Sequence, residues 1–205
     1  AELIDPISSG IAWQEPRAFP SCIIYRKNEE FLDFVNWNAS RNPDLPVAVL
    51  LFYRTHVQSG NTQAFDHFIE LLGHRFNVLP LAVASLKDQH CQQLVNDLLE
   101  RAAGNIIINT TSFSQHIEGN AALSSVPQLI PRNPFTVDIP VIQAILAASD
   151  EEDWEQNLQG LRARDIAMNI SLPEFDGRII SRAISFKTTE FRSERSQIDV
   201  IRYRL

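Results

Sequence analysis

VAVLLFYRTHVQSGNTQAFDHFIELLGHRFNVLPLAVASLKDQHCQQLVNDLLERAAGNIIIN, residues 47–109, carries the alternation that decides the fold. Residues 47–52 are a continuous apolar run of strand length, bounded by Pro46 and by polar residues. Phe65, Phe68, Ile69 and Leu72 recur at i, i+3, i+4, i+7, one face of a helix that Gly73 ends. Residues 78–84 form a second buried strand, interrupted only by Pro80 near its start. Cys91, Leu94, Val95, Leu98 and Ala102 give a second helical stripe, closed by Gly104, and residues 106–108 a third strand. Strands apolar on both faces that alternate with helices predict an α/β protein with an open, mostly parallel sheet flanked by helices, Rossmann-like or flavodoxin-like.

The pattern stops at Thr110. Residues 111–138, with Pro127, Pro131 and Pro134, read as a long irregular insertion, a kind of loop that is often functional. Pro140 opens a fourth strand over 141–146. Ser149-x-x-Glu152 is a capping-box signature for a helix that carries Trp154 and Leu158 and ends at Gly160. Residues 165–170 predict a further short helix, Asp176-Gly177 a turn, and 179–186 and 198–203 extra C-terminal strands. Upstream, residues 1–45 hold four prolines and one helical signal at 29–37, a lead-in strapped onto the domain. The expected division is 1–45 lead-in, 46–187 α/β domain, and 188–205 a further strand or the next segment. The chain starts without Met and ends on a strand-like run, which suggests an excised piece of something longer; a processed small protein is the alternative.

With 44% hydrophobic residues, the 205-residue chain has material for a real core. The net charge of −7 argues against a nucleic-acid footprint, which needs a basic face. No apolar run approaches the ~20 residues of a membrane span, and the N-terminus has no signal-peptide pattern. Cys22 and Cys91 form no Cys-x-x-Cys pair, which fits two reduced thiols in a cytoplasmic protein, with Cys91 in the core.

Ligands of open parallel sheets bind beyond the carboxyl ends of the strands. Here the strands exit into Arg54-Thr55-His56, Ser85-Leu86-Lys87-Asp88, Asn109-Thr110-Thr111-Ser112 and Ser149-Asp150-Glu151, so these groups share one edge. Such loops are polar in most proteins, and helix capping explains many of their Ser and Asp residues. Arg54 suits bidentate pairing with a carboxylate, His56 suits metal ligation or proton transfer, and the helix start at Gly60-Asn61-Thr62 suits an anion. A hydrogen-bonded structural turn is the alternative for this loop. No Gly-x-x-x-x-Gly-Lys-Ser/Thr or Gly-x-Gly-x-x-Gly motif occurs, which disfavours nucleotide binding by either device. His67, His74, His90 and His116 are scattered and read as solvated. In Leu172-Pro173-Glu174-Phe175-Asp176-Gly177, two carboxylates two residues apart point the same way if the backbone is extended, a pair suited to divalent-metal capture or proton removal. An ordinary turn with exposed acids is the alternative.

Together these segments resemble the large subunit of cobaltochelatase, in the CobN and magnesium-chelatase H-subunit family. The resemblance runs through Tyr-Arg-x-His-x-x-x-Gly-Asn-Thr at 53–62, Ser-Leu-Lys-Asp at 85–88 and Asn-x-Thr-x-Phe at 109–113. It continues through Leu-x-x-x-Asp-x-Ala-Met-Asn-x-x-Leu-Pro-Glu-x-Asp-Gly-Arg-Ile at 161–179 and on to Lys187. Magnesium-chelatase H subunits read Gln-Arg-Thr-His, with Gly-Asp where this chain has Gly60-Asn61, which places the chain on the cobalt side. It covers residues 47–187; the lead-in and the Pro-rich insertion match poorly.

The resemblance implies one domain of the subunit that binds tetrapyrrole and metal in ATP-dependent insertion of Co²⁺ into a corrin-type ring, within cobalamin biosynthesis. ATP is then hydrolysed by partner subunits, an AAA+ ATPase and its co-subunit, with no nucleotide site in this chain and no activity expected of it in isolation. His56, Glu174 and Asp176 are the expected chemical residues, with His56 and Glu174 as transient metal ligands. Arg54, Asn61, Lys87 and Asn109 are the expected contacts to the macrocycle. The rival readings are a structural or subunit-docking domain of the same chelatase, and a related chelatase for another metal such as Mg²⁺.

Overall fold

The computed structural model describes residues 18–28, 31–112, 134–156, 158, 160–193 and 196–203. Among these residues a seven-stranded sheet has the order β1-β3-β2-β4-β5-β6-β7. The strands are β1 Cys22–Ile24, β2 Val47–Tyr53, β3 Asn77–Val83, β4 Ile106–Asn109, β5 Val141–Ala147, β6 Ile179–Ser193 and β7 Ser196–Tyr203. From β3 to β6 every neighbouring pair is parallel, while β1 and β7 close the two edges antiparallel. Counted from β2, the parallel strands stand in the order 2-1-3-4-5, which is flavodoxin-like rather than the Rossmann 3-2-1-4-5-6.

Alternate residues of β2 serve opposite faces, as the pleat requires. Val47, Val49 and Leu51 meet Val95 and Leu99 of α4 Gln89–Ala102 and Trp37 of α1 Phe34–Ala39. Ala48, Leu50 and Phe52 meet Phe65, Phe68, Ile69 and Leu72 of α3 Gln63–Gly73. Helices thus cover both faces, and β2 is buried along its whole apolar run. Phe52 and Phe65 stack with centroids 4.1 Å apart. Cys91 is fully buried, as its place on the α4 stripe predicts.

Pro80 is tolerated inside β3 because its carbonyl, and therefore the position of its missing N–H, faces away from β2. That carbonyl accepts the Tyr25 N–H at 2.9 Å, beyond the end of β1. The lead-in contributes β1, which sequence periodicity does not reveal in three residues. Arg54 fastens it, donating through Nη1 to the carbonyls of Phe19 and Pro20 at 2.8 and 2.6 Å. Tyr25 Oη donates to Asp66 on α3 at 2.7 Å. The helical signal at 29–37 becomes α1, whose N-cap is Asp33; residues 29 and 30 lie outside the described residues. Most of the Pro-rich insertion, 113–133, also lies outside them, but its exit is anchored. Phe135 is in the core, and Asn96 bonds Pro134 O and Thr136 N at 3.1 and 3.0 Å.

α4 ends with Ala103 in the left-handed region at φ 51°, where its N–H and that of Gly104 close on the carbonyls of Glu100 and Leu99. The stop predicted at Gly104 is therefore made one residue earlier, by a residue that carries a Cβ. An L-residue costs about 1–2 kcal/mol there. Ala103→Gly should raise stability by about 1 kcal/mol and the Tm by about 2–4 °C, readable by thermal unfolding.

Candidate functional site

All parallel strands deliver their following loops to one end of the sheet, and the chain reverses direction across the sheet between β2 and β4. This switch point is where such sheets hold ligands. On the β2 side, Arg54 opens a short helix, α2 Thr55–Gln58, which carries His56. Gly60 at φ 69° turns the chain so that Asn61 N–H meets the His56 carbonyl at 2.8 Å, and α3 follows. The His56 ring packs 4.9 Å from Phe65, half-buried. Burial lowers its pKa below the ordinary 6.5, and the Lys187 ammonium on β6 acts in the same direction. His56 is therefore a neutral imidazole at neutral pH, able to take a proton or ligate an ion.

On the β4 side the loop is a buried polar cluster. Asn109 is 0% exposed, and its Nδ2 donates to Gln143 Oε1 on β5 at 2.7 Å and to Thr111 O at 3.1 Å. Thr111 Oγ1 donates to Asn109 Oδ1 at 2.9 Å. Arg178 reaches into this cluster, donating from Nη1 to Gln143 Oε1 at 2.8 Å and Thr111 O at 3.3 Å, and from Nη2 to Asp176 at 2.8 Å. Tyr53 Oη donates to Ser112 O at 2.8 Å, and Ser112 Oγ to Asn169 Oδ1 at 2.8 Å. Burial raises the Tyr53 pKa, so the phenol stays protonated and keeps donating.

After α5 Glu151–Gln156, the segment 163–175 is one helical stretch, α6 Ala163–Ile166, a π-type turn Ala167–Ser171, and α7 Leu172–Phe175. The extended backbone that would aim both acids the same way is not what this sequence adopts at 172–176. Pro173 is the second residue of α7, which follows the π-type turn directly, and Gly177 at φ 72° closes the end. Helical geometry separates the two acids. Glu174 faces solvent, whereas Asp176 is 6% exposed and held by Arg178. Among the described residues no three His, Cys, Asp or Glu side chains gather as a metal centre.

The other expected site residues divide in the same way. Lys87 is exposed at the end of β3, between Leu86, which is core, and Asp88, which caps α4 through the N–H groups of His90 and Cys91. Asn61 is half-exposed beside His56. Arg54 is engaged with the lead-in, and Asn109 is enclosed, so neither is displayed as a simple surface contact. His74 and His90 are exposed as expected, His67 is half-buried, and His116 lies outside the described residues. Sequence reasoning did not single out Gln143 and Arg178. The available signal was a polar residue inside an apolar strand, Val-Ile-Gln-Ala-Ile, and an Arg directly after the Asp-Gly turn. Asp165 has no site role in the sequence reading, which places it on a helix and in the motif at 161–179. It is 3% exposed and accepts from Ala148 N and Ser149 Oγ at 3.0 and 3.4 Å, fixing the loop after β5.

A cavity of about 700 Å³ lies elsewhere, near the start of β3, between Trp37, Arg41, Asp66 and Phe76. Its lining includes none of the switch-point residues, so its size does not make it the reaction site.

The fold and loops define an α/β domain of flavodoxin-like strand order with a polar, histidine-bearing switch point. The CobN/Magnesium Chelatase family model matches residues 3–205, and the chain belongs to that family. It is 42% identical to the aerobic cobaltochelatase subunit CobN of Pseudomonas aeruginosa over 94% of its length, and spans 15% of that protein. It is 26% identical to the chloroplastic magnesium-chelatase subunit ChlH of Oryza sativa subsp. indica, over 73% of this chain and 11% of that one. The catalytic subunit of cobaltochelatase from Mycobacterium tuberculosis shares the fold, with a TM-score of 0.70 at 22% identity. That likeness covers 98% of this chain and 16% of the solved one. Among the described residues no helix is long and apolar enough to cross a membrane.

Proposed function

We propose that this chain is a domain of the large, tetrapyrrole- and metal-binding subunit of an ATP-dependent cobaltochelatase that inserts Co²⁺ into a corrin-type ring in cobalamin biosynthesis. The observation that carries the reading is the 42% identity to a CobN subunit over nearly the whole chain, against 26% to ChlH. In this reading an AAA+ ATPase and its co-subunit work in the cytoplasm with the rest of the large subunit.

Insertion replaces ring N–H protons by one divalent ion, and the ion gives up water as it gains ring nitrogens. The geometry supports a division of labour for that exchange. His56, held neutral, accepts a ring proton or ligates the ion in passing. Glu174, exposed on α7, offers a carboxylate oxygen that binds a hydrated divalent ion weakly enough to release it. Lys87 and Asn61, exposed and half-exposed, meet peripheral carboxylates of the macrocycle in this reading, and Arg54 does so only by exchanging its contacts with the lead-in. Asn109 and Asp176 serve from within, holding the loops.

The test is absorbance titration of the full-length subunit with metal-free corrin-type ring, followed by Co²⁺ insertion with the partner subunits present. Glu174→Gln should lower insertion at saturating macrocycle by about 10-fold or more while the Tm stays within ~1–2 °C, since an exposed polar change moves stability little. Unchanged insertion across a range of Co²⁺ concentrations would reduce Glu174 to a turn residue. A docking role is favoured by one separate feature, Phe175 and Ile179 at 60% and 56% exposed. Loss of subunit association on Phe175→Ser, with macrocycle binding intact, would select that reading.

A further inference from the structure

We infer that Arg178 is a positioning residue, whose buried guanidinium locks the turn carrying Glu174 to the switch-point loop and so fixes where that carboxylate meets the metal ion. This rests on the chelatase reading. The Arg178 side chain is 2% exposed, as is that of Asp176. Three places in the fold supply acceptors to Arg178: Asp176 at the end of α7, Gln143 on β5, and the Thr111 carbonyl after β4. The chain on either side is equally constrained. Arg178 N–H closes on Pro173 O at 3.3 Å and Gly177 N–H on Glu174 O at 3.0 Å, so the residue that carries the exposed carboxylate is tied directly to the lock. A second strut runs from Ser112 to Asn169, inside the π-type turn. Such turns reset the angle between the helical pieces on either side, here α6 and α7.

Stability alone is a poor account of this arrangement. A buried ion pair loses most of its attraction to desolvation, and apolar side chains of similar volume fill such a space as well or better. A planar guanidinium adds direction, because its donors address several acceptors at fixed angles, which a lysine ammonium does not reproduce. The acceptors here are a turn, a strand and a loop, and the exposed carboxylate nearest the lock in sequence is Glu174. Every part of the lock lies on the β4, β5 and β6 side of the switch point. His56 stands on the β2 side and makes none of these contacts itself, while Tyr53 at the end of β2 donates to the Ser112 carbonyl.

The experiment uses the full-length subunit with its partner subunits and three readouts, thermal unfolding, macrocycle binding by absorbance, and Co²⁺ insertion at saturating macrocycle. The variants are Arg178→Lys, the double change Asp176→Leu with Arg178→Met, and each combined with Glu174→Gln. Arg178→Lys should bind macrocycle within about 2-fold of the parent and insert Co²⁺ about 10–100-fold more slowly, the scale of a misplaced reacting group. The double change removes both charges, so it should melt near the parent and still insert slowly. If Arg178 acts through Glu174, then adding Glu174→Gln should cost little more, because the losses overlap. Parent-like insertion by the double variant overturns the inference. So does loss of insertion only in proportion to unfolding, or losses that multiply with Glu174→Gln. Failure of the parent subunit to bind macrocycle or insert Co²⁺ would instead overturn the chelatase reading itself.

Discussion

His56→Ala in the full-length subunit is expected to lower Co²⁺ insertion about 100-fold or more, the usual contribution of a positioned acid–base group. Macrocycle affinity should hold, because His56 is assigned to the exchange of protons for metal rather than to the ring's periphery. The ring's packing against Phe65 contributes only modest stability, and the Tm should fall by a few degrees. The pH profile gives an independent check. Burial and Lys187 hold the folded pKa of His56 below 6.5, so just under that pH the unfolded chain binds a proton that the folded one refuses. Stability from this group is therefore complete above pH 6.5 and declines as the pH falls toward the folded pKa. Insertion should likewise persist below 6.5 and fail only nearer that lower value. His56→Ala should abolish this acid limb. A retained limb would assign it to another group.

The second large effect is on stability. Asp176→Leu alone leaves the Arg178 guanidinium buried without its carboxylate and should cost about 3–5 kcal/mol. For a chain of this size that is a fall in Tm of about 10 °C, measurable on the isolated chain by circular dichroism. Replacing Arg178 by Met in the same molecule should restore most of it. Were Asp176→Leu to melt like the parent, the pair would not be the buried contact described above.

The parallel sheet was legible because β2, β3 and β4 are apolar on both faces and the α3 and α4 stripes keep helical spacing. The strand order was not. Crossovers to the left and to the right of β2 leave the same local pattern, so flavodoxin-like and Rossmann-like orders remained open together. β1 is too short for periodicity to reveal. At 172–177 the sequence left an extended segment and a turn both open, and the chain takes a short helix closed by a turn. Pro173 and Gly177 fit the two ends of a helical turn as well as they fit an extended segment, and only the inward aim of Asp176 separates the cases. Arg54 and Asn109 illustrate another limit. A polar residue at a strand's end reads the same whether it faces a ligand or the protein's own carbonyls. His56 stands at the edge its motif indicated, but its neutrality depends on Phe65 and Lys187, one brought by α3 and the other by the far strand β6.

The scattered origin of the polar cluster also has a bearing on biosynthesis. β2, β3 and β4 pair within residues 47–109, and these can associate once that stretch has left the ribosome. Gln143 and Arg178, which enclose the Asn109 amide and the Thr111 carbonyl, are still to be made. At ~5–20 residues per second, the interval between Thr111 and Arg178 is about 3–13 s. During it, the outer edge of β4 awaits β5, and polar groups that end up enclosed are open to water or to a wrong strand. The switch point is therefore completed only after the β2-β3-β4 unit can form. A nascent chain halted before Arg178 should carry a formed β2-β3-β4 unit and an unfinished site, sensitive to protease in the residues that follow β4.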